Sequence, residues 1–162
     1  MGQDVTETST TSRGSERIVR RLVFLHVLIP LIIGAIVYLL WRETSLWAFS
    51  WVALFHLDTP LNWLREAASS IHVPELVLYS LPNALWVYSL TVAMGLVWAI
   101  GGGHGCKPWI VSGLLLGCGA ELLQLTPLVP GTFDPIDLAF SLFAALFGLG
   151  FLHNMRFKHA LA

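Results

Sequence analysis

Charge is scarce in this chain. Only 12% of its 162 residues are Asp, Glu, Lys or Arg, while 56% are hydrophobic. So few charged side chains argue against a water-soluble domain of this size and point to an integral membrane protein. Cysteine is scarce too. Cys106 and Cys118 fall in an expected loop and an expected membrane helix, which argues against a disulfide or a thiolate metal site. His-x-x-x-His, Gly-x-Ser-x-Gly and Ser-x-x-Lys spacings are missing, so catalysis has little support, although paired carboxylates can serve as acid and base. The run GGGHGCKP (101–108) lacks the G-x-G-x-x-G spacing and follows no strand, so it is read as a turn rather than a phosphate cradle. No cofactor, metal or nucleic-acid partner is expected.

What is present is a series of apolar runs. Residues 1–20 are rich in Ser, Thr, Gly and charge and read as a flexible tail. Leu22–Trp41 is a twenty-residue run without formal charge, long enough to cross a hydrocarbon core of about 30 Å. Arg20-Arg21 precedes it as in a twin-arginine signal. The run is long for a signal and lacks a small-x-small cleavage site, so it is read as an uncleaved anchor, kinked near Pro30. His26 within it is read as a packed or interfacial residue rather than a ligand.

Thr44–Leu57 has only fourteen residues, which favours a re-entrant or surface-lying helix. Its Trp47, Trp51 and Phe55 recur at helical spacing, a stripe suited to the headgroup region. His56–Glu75 reads as an extramembrane loop with a short helix around Pro60–Ser69. Leu81–Ile100 is the second span, with Pro82 in its first turn and Trp86 and Trp98 as end anchors. Pro108–Thr126 is the third and Ile136–Leu152 the fourth. The expected fold is all-α: a four-helix membrane domain over residues 21–154, with an outer loop over 42–80 and a short tail over 155–162.

The cations are asymmetric. Arg13, Arg17, Arg20, Arg21, Lys107, Arg156 and Lys158 fall on one side of this layout, and only Arg42 and Arg65 on the other. The positive-inside rule then makes both termini cytoplasmic in a multi-pass protein of the inner membrane. Glu43, Asp58, Glu66 and Glu75 fall on the outer side, which is markedly acidic.

Three further carboxylates lie in or against apolar segments at the outer ends of the last two spans. Glu121 and Gln124, three apart, share a helix face, and Asp134 and Asp137 follow across a turn. A carboxylate at membrane depth is costly without hydrogen bonds, a partner or water, which makes these four residues the candidate ligand site. Asp137 is placed to cap the last helix. Ser141, Ala144 and Gly148 follow Asp137 on one small-residue stripe, so the last two spans are expected to pack as a hairpin. The plainer reading is that Asp137 is a cap, Asp134 a turn residue and Glu121 a bond between helices.

On these residues the chain resembles the VanZ-like family of small bacterial membrane proteins. Glu121-Leu122-Leu123-Gln124 matches that family's Glu-x-x-Gln, Phe133-Asp134-Pro135-Ile136-Asp137 its acidic turn, and Gly148 one of its later glycines. Gly131 stands where the family has an Arg, Ser141 where it has Asn, and Ala144 where it has Gly. Losing the Arg removes the natural counter-ion of the acidic cluster. The run LYSLPNALWVYSL (78–90) is similar to a second family signature, with no mechanism attached. The resemblance implies a role in the cell envelope, where founding members are linked to resistance to the glycopeptide teicoplanin. An outward acidic pocket would then engage a lipid headgroup or a glycopeptide-like ligand. Two other readings compete. One is an accessory subunit packing against other membrane proteins; the other is haem or metal binding through His26, His104 and His153.

Overall fold

The computed structural model describes residues 16–44, 48–101, 106–128 and 132–160, and among them all regular structure is helical. The helices are α1 (Glu16–Trp41), α2 (Ala48–Leu54), α3 (Asp58–Ala68), α4 (Glu75–Gly101), α5 (Cys106–Leu123) and α6 (Pro135–Ala160). Among the described residues, three segments are long and apolar enough to cross a membrane: α1, Glu75–Val97 of α4, and Pro135–Met155 of α6. The chain is therefore a multi-pass membrane protein. The span expected over Pro108–Thr126 falls on α5, eighteen residues long, whose described apolar part is Val111–Leu123. The tips at 45–47, 102–105 and 129–131, most of the N-terminal tail (1–15) and residues 161–162 lie outside the described residues; Trp47, His104 and Gly131 are among them.

Each long helix outruns its apolar core. α1 begins at Glu16, inside the expected tail, and continues through Pro30 by widening one turn. Over Phe24–Leu28 it is π-helical, and the N–H of Ile29 reaches back to the Phe24 carbonyl. A proline lacks the N–H that a regular ladder needs, and the wider register sits immediately ahead of it. α4 starts at Glu75 rather than Leu81, because the Pro74 carbonyl accepts its first bonds, from Val77 (2.9 Å) and Leu78 (3.0 Å). Pro82 is consequently inside the helix, not in its first turn, and Trp86 lies three turns in, not at an end. The Trp98 side chain lies outside the described ones. α6 runs on to Ala160, through most of the expected tail.

α4 is the centre of the bundle. From Ser80 to Leu96 none of its residues is exposed, and α1, α5 and α6 pack around it. Such a helix must satisfy its own polar groups. The buried hydroxyls of Ser89 and Thr91 each donate to the carbonyl four residues back, both at 2.8 Å. Small residues let neighbours close on it. A Cβ on Gly113 of α5 would lie 2.9 and 3.0 Å from the Thr91 backbone N and Cα, and one on Gly148 of α6 would meet Thr91 Cγ2 at 3.2 Å. Ser141, Ala144 and Gly148 are all buried, as a packing stripe should be. Yet Ser141 and Gly148 meet α4, so the stripe seats α6 on the central helix more than on α5.

The outward surface is apolar. Leu115 and Leu116 on α5 and Phe143 and Phe147 on α6 are exposed, as suits side chains facing lipid. The seven-residue α2 is far too short to cross a bilayer. Its Phe49 is buried against Tyr38, while Trp51 and Phe55 of the expected aromatic stripe are exposed.

Because Gly113 abuts the Thr91 backbone as well as its hydroxyl, Gly113→Ala should lower the stability of the detergent-solubilised protein by about 1–3 kcal/mol. Gly119→Ala, which meets nothing within 4 Å, should leave the unfolding midpoint unchanged. Thermal unfolding followed by circular dichroism compares the two.

Candidate functional site: a charged cleft at one end of the bundle

The C-terminal ends of α1 and α5 and the N-terminal ends of α4 and α6 meet at one end of the bundle. Between them lies a cleft of about 420 Å³, within the usual range for small-molecule sites. Glu121, Gln124, Asp134 and Asp137 all line it, so the four candidate residues share one space. Their environments differ.

Glu121, on the last turn of α5, is only 6% exposed. Burying a carboxylate among apolar helices demands hydrogen-bond donors. Asn83 of α4 supplies one, its Nδ2 lying 3.3 Å from Glu121 Oε1. Gln124, with its amide nitrogen turned to the carboxylate, donates to Oε2 at 3.3 Å and to the Thr132 carbonyl at 2.9 Å. The backbone N–H of Asp134 faces the same carboxylate. Asn83 also donates to Ser141 Oγ at 3.1 Å, so one amide joins α4, α5 and α6.

Asp134, not Asp137, caps α6. Its Oδ1 accepts the Ile136 N–H at 2.8 Å and its carbonyl accepts that of Leu138 at 3.1 Å, the bonds of an N-cap followed by Pro at the first helical position. Asp137 lies one turn further in, where the helix dipole still favours its charge. Its Oδ1 accepts a short hydrogen bond from Ser80 of α4, which is itself 3% exposed.

The run 78–90 thereby acquires a mechanism. Ser80 holds Asp137, Asn83 holds Glu121 and Ser141, and Trp86 donates to the Leu31 carbonyl of α1 at 3.3 Å. Tyr88 bonds His26 at 2.8 Å, and the His26 ring stacks on Phe151 with centroids 4.0 Å apart. His26 is thus packed between helices. Among the described residues no group of three or more His, Cys, Asp or Glu is placed to hold a metal.

The sequence reading missed the remaining walls: Tyr38 and Arg42 from the end of α1, and Tyr79, Pro82, Asn83 and Trp86 from α4. Arg42 matters most. Its guanidinium lies 4.5 Å from the Tyr79 ring centroid and 5.7 Å from that of Tyr38, a cation held over aromatic faces. Arg65 of α3 fixes the backbone beneath it, donating to the carbonyls of Leu39 (2.5 Å) and Arg42 (2.7 Å) at the C-terminal end of α1. The acidic cleft therefore receives a positive charge from the end of α1. A signal existed, because Arg42 and Arg65 are the only cations assigned by sequence to this end of the chain.

Comparison with family models, with curated proteins and with solved structures finds no match for this chain.

Removing the amide of Asn83 leaves the buried Glu121 and Ser141 short of a donor. Asn83→Leu should cost about 1–3 kcal/mol of stability. Because the cost is transmitted through Glu121, the pair Asn83→Leu with Glu121→Gln should lose less than the sum of the single variants. Strict additivity in a thermal double-mutant cycle would break the link between these two side chains.

Proposed function

We propose that this chain is a VanZ-like integral membrane protein of the bacterial cell envelope, whose cleft faces outward and binds a lipid headgroup or a glycopeptide-like ligand. The observation that carries this reading is the convergence of Glu121, Gln124, Asp134 and Asp137 on one cleft of about 420 Å³ at the end of a membrane bundle. A purely structural role calls for pairing and closure, whereas these groups are held by neighbours and still border open space. The aromatic side chains at α2 support placing this end at headgroup depth, since Phe49 packs on Tyr38 of the cleft wall while Trp51 and the following Phe55 are exposed. Four crossings, with α5 as the third, rest on its apolar run, and the cation asymmetry supports both termini on the cytoplasmic side and hence an outward cleft.

The resemblance in Glu121-Leu122-Leu123-Gln124 and in the acidic turn supports the family reading, and Arg42 compensates for its largest departure. Packing against other membrane proteins is the alternative. It leans on the exposed apolar faces of α5 and α6, which lipid covers equally well.

Glu121→Gln, Asp134→Asn and Asp137→Asn should each abolish retention of a co-purifying lipid, read by mass spectrometry, at membrane abundance within about twofold of the parent. Full retention in all three would make the carboxylates structural. Membrane-impermeant thiol labelling should reach Thr132→Cys from outside the intact cell; labelling only after lysis would reverse the orientation.

A further inference from the structure

The cleft carries opposite charges on different walls. Asp134 and Asp137 come from α6 and Glu121 from the end of α5, whereas Arg42 enters from the end of α1. A simple anion entering this space approaches three carboxylates, while a simple cation makes no use of the guanidinium; a ligand bearing both charges can meet both walls. We infer that the cleft selects a zwitterion, an amine-bearing phosphodiester whose phosphate meets Arg42 and whose ammonium lies among Asp134, Asp137 and Glu121. This rests on the reading of the cleft as a ligand site.

The geometry of each wall fits its half of such a ligand. Arg42 lies over Tyr79 and Tyr38 with its backbone tied down by Arg65, so its guanidinium is positioned on the cleft wall, where its planar edge suits phosphate oxygens. Asp134 and Asp137 each commit Oδ1 to the protein, to the Ile136 N–H and the Ser80 hydroxyl, and both carboxylates line the cleft. The same chemistry is available from the headgroup of an intact lipid and from the free headgroup, and the two enter differently.

The test uses the full chain purified in a maltoside detergent, titrated by calorimetry with glycerophosphoethanolamine, ethanolamine and glycerol 3-phosphate. A second arm uses nanodiscs containing either phosphatidylethanolamine or phosphatidylglycerol, with lipid retention read by mass spectrometry. The zwitterion should bind at least about tenfold more tightly than either half. Arg42→Gln should reduce its affinity to that of ethanolamine, Arg42→Lys should recover part of the loss, and Asp137→Asn should reduce it to that of glycerol 3-phosphate. Unchanged unfolding midpoints keep these variants interpretable; if Asp137→Asn unfolds, the Arg42 pair alone decides. Enrichment of phosphatidylethanolamine without binding of the free headgroup supports the zwitterion and assigns it to the intact lipid. Equal affinity for ethanolamine and the zwitterion, with Arg42→Gln silent, overturns the inference while leaving a ligand site. Failure of every probe, free and lipid, overturns that reading as well.

Discussion

A carboxylate buried in a bundle that is itself surrounded by hydrocarbon must be given hydrogen-bond donors from within the protein. Glu121 imposes this constraint, and the helices at its end of the molecule are arranged around it. Asn83 reaches it from α4, Gln124 from the turn after α5, and the backbone of Asp134 from the start of α6. Once Asn83 has been placed to serve Glu121, its second bond to Ser141 fixes the height of α6 against α4. Ser80, one turn earlier on the same helix, then meets Asp137. The central position of α4 and the convergence of the acidic residues are therefore two aspects of one arrangement.

A chain with so little charge uses what it has at this end. Arg65 ends α1 by bonding its last carbonyls, and in doing so holds the segment that carries Arg42. Arg42 in turn lies on aromatic rings at the edge of the cleft. Further along the bundle, at mid-height of α4, the polar pair His26 and Tyr88 packs against Phe151 and neighbouring apolar side chains.

Much of this was legible in the sequence, for identifiable reasons. Long runs such as Leu22–Trp41 announce membrane helices because few other structures tolerate them, and Glu121, Asp134 and Asp137 stand out because acids in such surroundings are expensive. The small stripe of α6 was also visible. Its partner was not, because a stripe records how close a neighbour comes and not which neighbour it is. The choice of α4 depended on Asn83, an uncharged amide with no local signature. Boundaries shifted where a residue just ahead of the helix accepted its first N–H groups: Pro74 begins α4 six residues ahead of the apolar core, and Asp134 takes the cap expected of Asp137. Arg42 was missed as a cleft residue because its contribution crosses from the first helix to residues some eighty positions later.

The account stands or falls on α4 touching α6 at the level of the cleft. In a background with Cys106 and Cys118 replaced by Ser, a short bifunctional thiol reagent applied to membranes tests the pair Ser80→Cys and Asp137→Cys. Rapid cross-linking of 80 to 137, with little at the control pair Ser80→Cys and His153→Cys, is the predicted outcome. Equal yields for both pairs, or none for 80 to 137, would contradict the arrangement of helices on which the cleft depends.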